Sequence, residues 1–397
     1  MFDADYASVM TDASRLFRPL SARDRGEPYR AATPLELFTD LCVVVAVAQA
    51  ARALHHAVIT DHIADGLVHY AFAFFALWWA WLNFTWFASA YDNDDIGYRL
   101  LTLLQVVGVL IIAAGIPRSF HDEYALSVLG YIVMRIGLVI QWLRVARSDP
   151  DHRRTALRYT IGISCCQAGW VLMLLAPHGV LAPIIIVLIL AELSVPMWAE
   201  SAGNSPWHPR HIAERYGLFT IIVLGESILA ATLAIQAALD EGAPLSDLLA
   251  VIVGGILTVF SMWWLYFAKD AHEVLVDNRV GFRFGYGHYL IFGSGAAVGA
   301  GLAIQVDQIT GHSHVSDLTA AAFFTVPVVL YFGGVWFAHL ALHDRARGHG
   351  RGIAVGSGLI LLTTFTPEPV LASGLVCAGL VALSEAIHAR EPAGQPG

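Results

Sequence analysis

The sequence predicts an all-α integral membrane protein of about twelve transmembrane helices, with a parallel 6+6 internal repeat and both termini in the cytoplasm. Three observations carry this. Only 14% of the 397 residues are charged and 57% are hydrophobic, against about 25% charged in a soluble domain. An ordinary water-soluble enzyme, a disordered chain and a nucleic-acid binder are therefore excluded. Apolar stretches of about 20 residues recur, the length that carries a helix across a bilayer. Arginines concentrate in alternate loops. Helix is the only open-chain solution in lipid, since backbone groups must be satisfied within the segment.

The spans run over 34–54, 65–90, 97–116, 123–145, 157–176, 180–199, 211–237, 246–269, 285–305, 318–342, 352–366 and 369–388. The eleventh is short and carries Thr363, Thr364 and Thr366. Ahead of the first lies a polar, arginine-bearing segment, 1–33, without the apolar core and cleavage site of a signal peptide. The first span is thus expected to direct insertion. Arg15, Arg18, Arg23, Arg25 and Arg30 precede span one; Arg144, Arg147, Arg153, Arg154 and Arg158 lie between spans four and five. Lys269, Arg279 and Arg283 follow span eight, and Arg345, Arg347 and Arg351 follow span ten. The intervening loops 55–64 and 306–317 have no arginine or lysine, and 238–246 carries Asp240 and Glu241. The positive-inside rule puts the arginine-rich loops, both termini and the tail 389–397 in the cytoplasm, and an even span count agrees. The net charge of −9 is no partner signal, because sign depends on the side of the membrane. Cys42, Cys165, Cys166 and Cys377 all lie in apolar stretches and form no disulfide framework.

The two halves, 34–199 and 200–388, share features in order. Phe38-Thr39 recurs as Phe219-Thr220. Trp78-Trp79 with Asp92-Asn93 recurs as Trp263-Trp264 with Asp277-Asn278, and Leu190-Ala191-Glu192 resembles Leu383-Ser384-Glu385. Six spans per half give both the same topology, related by an axis along the membrane normal. Chance similarity among apolar helices is the competing explanation; the paired Trp and Asp-Asn matches weigh against it.

Charges inside spans are the informative positions, since each costs roughly 2.5–3.5 kcal/mol at a helix centre and needs a partner or a cavity. Glu36 and Asp40 lie four apart on span one. His211, Glu214 and Arg215 share one face of span seven, and Glu226 lies about 18 Å deeper at 1.5 Å per residue. Glu192 and Glu385 are the repeat-related carboxylates, and Arg135 is the mid-span cation. Glu226, Glu192, Glu385 and Arg135 are candidates for proton coupling or a substrate site. Gly225 beside Glu226 would admit close approach of a helix or ligand. Glu36, Asp40, His211, Glu214 and Arg215 are candidates for a cytoplasmic gate network. A static ion-pair lock is the competing reading for each, and cavity-facing solvation is a third for Glu226.

Asp92, Asp94 and Asp95 could hold a divalent cation or form a solvated loop that caps the next helix; the capping reading is preferred. The outer-loop histidines His55, His56, His62, His312 and His314 are scattered rather than set as a metal site. His69 differs in depth from His288 and His339, so a haem pair is not formed. No haem-attachment, zincin, nucleophile-elbow, Walker A or dinucleotide motif occurs. No catalytic residue, cofactor or resident metal is assigned. Trp78, Trp79, Trp81 and Trp86 read as interfacial belt and core packing, or as a stacking wall for an organic ligand.

The stretch Glu36-Leu37-Phe38-Thr39-Asp40-Leu41, the run from His211-Ile212-Ala213-Glu214-Arg215 through Phe219 to Leu224-Gly225-Glu226-Ser227, and Asp92-Asn93-Asp94-Asp95 before Tyr98-Arg99-Leu100-Leu101 together resemble the bacterial low-temperature-requirement A family over nearly the whole chain. The second motif is the specific one. Thr39 stands where that family commonly has a second aromatic. The resemblance implies a multi-pass bacterial protein of the cytoplasmic (inner) membrane, and no reaction.

The leading expectation is a proton-coupled secondary transporter of a small solute, with Glu226 protonated and a site between the halves near mid-membrane. A non-transporting sensor or assembly protein is the alternative. An intramembrane enzyme acting on a lipid-linked substrate is the third reading, and it requires the HxxER turn and the Asp92 loop to converge. The partners are the lipid bilayer, protons and a small solute, with no nucleic acid.

Overall fold

The computed structural model describes residues 18–24, 27, 30–343 and 348–388, the side chains of 348, 349, 387 and 388 excepted. Every expected span coincides with a helix: α1 Pro34–Ile59, α2 Ile63–Tyr91, α3 Ile96–Ser119, α4 Ala125–Ser148, α5 Arg153–Met173, α6 Leu181–Glu200, α7 Pro209–Asp240, α8 Leu245–Tyr266, α9 Asn278–Thr310, α10 Asp317–Val335, α11 Gly348–Thr363 and α12 Pro369–His388. No strand occurs among the described residues. Arg15, Arg25, Arg345, Arg347 and the tail 389–397, used to orient the chain, lie outside the described residues, as does the whole of segment 1–17.

Ten of these helices are long and apolar enough to cross a membrane, among the described residues, against the twelve expected. The other two are α5 and α11. The first turns of α5 carry Arg153, Arg154 and Arg158, which lower its apolarity. The 16 residues of α11 extend about 24 Å at 1.5 Å per residue, short of a hydrocarbon core of about 30 Å.

Local chemistry sets the helix ends. Asp95 caps α3 by accepting from Tyr98 N–H, Asp277 caps α9 by accepting from Val280 N–H, and Ser316 caps α10. These side chains satisfy donors that the first turn leaves open. Gly311 ends α9 at φ 77°, a left-handed conformation that glycine adopts without cost. A five-residue π-helical turn, Trp336–Leu340, follows α10.

The chain divides into two compact units, Met1–Gln49 with Phe75–Arg215 and Ala50–Phe74 with Tyr216–Gly397. The boundaries fall inside α1, α2 and α7, so each of these helices contributes to both. In the first unit, Trp142 of α4 stacks on Tyr159 of α5 at 4.2 Å and meets Phe87 of α2 edge-on at 4.9 Å. Leu20, wholly buried, joins this cluster from outside the helices. Its carbonyl accepts from Ser148 Oγ, and the N–H groups of Arg18 and Ala22 donate to Asp95 and Asp149. Segment 18–24 is thus strapped across helix ends by its backbone. Gly108 of α3 and Gly130 of α4 meet reciprocally: a Cβ on either would lie 2.6 Å from the other's carbonyl oxygen.

In the second unit α9 is the most enclosed helix, with 89% of its most apolar 18-residue stretch buried, against at most 56% elsewhere. Its small residues allow this. Gly299 sits so close to α7 that a Cβ would lie 2.7 Å from Ser227 Cα, and Ser227 Oγ donates to the Gly295 carbonyl at 2.8 Å. The close approach in the Leu224-Gly225-Glu226-Ser227 motif is therefore made at Ser227. Gly225 was expected to provide it, but a Cβ there would meet nothing within 4 Å.

Candidate functional site

The first unit holds a cluster of four ionisable side chains, each at most 1% exposed: Glu36, Asp40, His211 and Arg215. It begins as a helix start. Thr33 and Glu36 form a capping box, with Thr33 N–H donating to Glu36 Oε2 at 2.8 Å and Glu36 N–H donating to Thr33 Oγ1 at 3.3 Å. Pro34 at the first helical position suits the same geometry. The box fixes the Glu36 carboxylate, whose Oε1 faces His211 Nε2 at 3.1 Å and Arg215 Nε at 3.9 Å. One turn later, both oxygens of Asp40 accept from the Arg215 guanidinium at 2.6 Å, and Oδ1 also accepts from Trp81 Nε1 at 2.7 Å. The contact is a ladder: acids four apart on α1 face a histidine and an arginine four apart on α7.

Two carboxylates and one guanidinium leave a net charge of −1 when the imidazole is neutral and zero when it carries a proton. His211 Nδ1 and Arg215 Nε remain buried without a hydrogen-bond partner. Glu214 stands apart from this group: it is half-buried and accepts from the Ala32 N–H at 3.3 Å.

Beside the cluster, Arg30 bonds the end of α2, donating to the carbonyls of Ser89 and of Ala88 (2.8 Å), and lies 3.8 Å from Asp92. These carbonyls end a helix and carry its negative pole. His208 Nε2 donates to the Glu27 carbonyl at 2.8 Å, and the His208 backbone N–H donates to Ser89 Oγ at 3.0 Å. The start of α7 and the Asp92 loop thus converge around Arg30, Ser89 and His208.

The loop itself is a cap, as preferred from sequence, but not a solvated one: Asp92 and Asp95 are buried. No group of three or more His, Cys, Asp or Glu that could hold a metal ion occurs among the described residues. Burial works against ionised Asp95, but hydrogen bonds from Tyr98 N–H, Arg144 and Arg18 N–H hold it below the usual carboxylate range. Asp92 goes the other way: burial, then the negative charge of Glu36, push it up to about 6.

A folded-state value above the unfolded one means that Asp92's contribution to stability is fully present below about 4 and is lost as pH rises through 6. Two pH units correspond to about 2–3 kcal/mol. Asp92→Asn is therefore expected to melt like wild type at pH 4 and higher than wild type at pH 7.5 in detergent. A variant less stable at pH 7.5 would show instead that the ion pair with Arg30 dominates.

A second buried pair lies among α2, α4, α5 and α6. Arg135 Nη2 donates to Glu192 Oε2 at 3.2 Å and to Tyr131 Oη at 2.5 Å. Glu192 also accepts from the indoles of Trp79 at 2.8 Å and Trp170 at 3.2 Å. Trp78, Trp79 and Trp81 are core residues rather than an interfacial belt.

In the second unit Glu226 is half-buried, with the Arg52 charge acting on it. Glu385, from sequence the repeat counterpart of Glu192 and a candidate for proton coupling or a substrate site, is exposed near the end of α12, where Oε1 accepts from Trp264 Nε1 at 2.9 Å. A short polar side chain this near a helix end reaches the surface, whatever its neighbours in sequence suggest. An apolar cavity of about 360 Å³ lies between α2 and α9–α10, and Tyr70 and Tyr289 in its wall spend their hydroxyls on the carbonyls of Gly293 and Ala71.

Sequence reasoning had marked the acids and the arginines. It missed the indole donors, the Arg30 link and the Thr33–Glu36 capping box. Only the last had a readable signal, Thr-x-x-Glu before an apolar run.

The sequence model of the family described as bacterial low temperature requirement A protein (LtrA) matches residues 31–385. Among curated proteins the chain is similar to uncharacterized protein RA0937 of Rhizobium meliloti (strain 1021), at 27% identity over 360 residues, 85% of this chain and 83% of that one. No solved structure matches.

Proposed function

This chain belongs to the bacterial low temperature requirement A (LtrA) family, and we propose that it is a proton-coupled secondary transporter of a small solute in the bacterial cytoplasmic membrane. The carrying observation is the charge balance of Glu36, Asp40, His211 and Arg215. All four are shut from solvent, and the group is neutral only with one proton more than the two acids and the arginine account for. His211 is the seat for it. A buried group that changes charge by one proton is the elementary requirement of coupling.

Under this reading the four residues, with Glu214, form the cytoplasmic gate, and Glu226 is the coupling carboxylate of the second unit. Twelve crossings, cytoplasmic termini and the parallel 6+6 repeat belong to the same proposal. The indole–carboxylate bonds Trp79–Glu192 and Trp264–Glu385 support the repeat, since both members are matched between the halves. The full set of partners on Asp40 favours a second reading, a non-transporting sensor or assembly protein in which the cluster is a lock.

Proteoliposomes holding purified protein and an interior pH dye separate the two. Solute-dependent pH change is expected with wild type, lost in Glu226→Gln and weakened in His211→Gln. Folded wild-type protein that gives no pH response across a broad solute panel would overturn coupled transport in favour of the lock.

A further inference from the structure

We propose that Arg135 is the ligand-binding cation of a site inside the first unit, that its ligand is a small organic monocarboxylate, and that Glu192 takes up a proton when the ligand binds. The inference rests on the transport reading and names its substrate class.

The argument starts from unspent donors. Arg135 is 1% exposed, in the middle of a membrane-length helix. A guanidinium has five N–H donors, and here only Nη2 is used, on Tyr131 and Glu192. Nε and Nη1 are buried without a hydrogen-bond partner. That leaves three N–H groups of a buried cation unsatisfied, where a purely structural ion pair would bring further acceptors. Gln167, three residues before Trp170 and so on the same side of α5, has both its amide nitrogen and its amide oxygen buried and unpartnered. The polar capacity of this region exceeds what its own groups consume.

Charge and shape set the ligand class. Arg135 and Glu192 sum to zero. A monoanion on Arg135 restores zero when Glu192 is protonated, whereas a dianion such as hydrogen phosphate leaves a net negative charge in an apolar interior. Guanidinium donors suit carboxylate oxygens. The surroundings suit an apolar body: the Tyr131 ring lies 4.7 Å from the guanidinium carbon, and Trp170 contacts Tyr131 at 6.1 Å. Glu192 is placed to respond, because its Oε2 shares Nη2 with Tyr131 while two indoles hold it in position. The proton comes from solvent and remains on the Glu192 carboxyl; no covalent bond of the ligand changes. The arginine therefore faces one anion at a time, its own glutamate or the carboxylate.

Calorimetric titration of the purified full chain in detergent tests this, with acetate, pyruvate and benzoate as probes and glycerol as the uncharged control. Running each titration in two buffers of different ionisation enthalpy counts the protons taken up. Wild type is expected to bind at least one carboxylate with uptake of one proton, its affinity falling about tenfold per pH unit wherever that one proton is taken up. Glu192→Gln, which keeps an acceptor for Trp79, is expected to bind without proton uptake and independently of pH. Arg135→Gln is expected to lose binding at least about 30-fold.

Carboxylates that fail to bind wild type, or a pH-dependent Glu192→Gln that still takes up a proton, would overturn the proposal even if Arg135→Gln does not fold. Binding with proton uptake but no flux in proteoliposomes would remove the transport reading and leave the site. Coupled flux of an uncharged or cationic solute without carboxylate binding would do the reverse.

Discussion

Arg215→Gln is expected to remove most folded protein from the membrane fraction. The substitution leaves Asp40 and Glu36 as two enclosed anions facing one imidazole, and breaking a buried pair by deleting one partner costs about 3–5 kcal/mol. That is a large part of the stability of a typical domain. Asp40 loses both 2.6 Å bonds and keeps only the Trp81 indole. Asp40→Asn alone is expected to do less harm, because Arg215 retains Glu36 at 3.9 Å and the cluster becomes neutral without an added proton. The double variant Asp40→Asn/Arg215→Gln removes one charge of each sign. It is expected to recover about 2 kcal/mol or more relative to the sum of the single variants. Thermal melting in detergent, followed by size-exclusion profile, gives the four corners of the cycle. Additive effects would mean that the two residues are held separately and that the ladder between α1 and α7 contributes little.

The same cluster shows what a sequence discloses. Glu36, Asp40, His211 and Arg215 stand out because a charge in an apolar span is costly wherever it points, so its presence alone signals a constraint. Their spacing also places each pair on one helix face. The partners are another matter. A tryptophan in a spanning helix satisfies a belt, a core or a ligand wall equally well, and only the rotation of α2 aims the Trp81 N–H at Asp40 and the Trp79 N–H at Glu192. Gly225 and Glu385 illustrate the converse. The first reads from sequence as a point of close approach and the second as a coupling candidate, yet one faces open space and the other lies exposed near a helix end. Which side of an apolar helix turns inward depends on long-range packing, which a nearly uniform apolar stretch does not encode. The helical positions themselves were legible because continuous apolarity of membrane length is a one-dimensional signal. Where it weakens, in α5 and α11, so does the ground for counting a crossing.

Packing of that kind predicts an equally large effect where no polar group is involved. In the second unit α8 and α12 cross with backbones in contact. A Cβ on Gly374 would lie 2.5 Å from the Gly254 carbonyl oxygen and 2.9 Å from its Cα, and a Cβ on Gly254 would lie 2.5 Å from Leu371 N. The atoms in the way are main chain on both sides, so no side chain can swing aside to make room. Helices in lipid gain no hydrophobic drive toward one another and depend on such close approach. Gly374→Leu is therefore expected to separate α8 from α12 at a cost at or above the usual 1–3 kcal/mol of overpacking, and to carry the Trp264–Glu385 bond apart with them, since that bond joins the same two helices. Gly225→Leu adds the same volume and apolarity at a glycine with nothing within 4 Å, so it is the matched control and is expected to melt near wild type. Comparing the two in detergent isolates contact geometry from side-chain chemistry. Equal loss in both would mean that glycine at these positions matters for helix flexibility rather than for the crossing. Loss confined to Gly374→Leu would make the α8–α12 backbone contact, and not the exposed indole–carboxylate bond, the feature that holds this pair together.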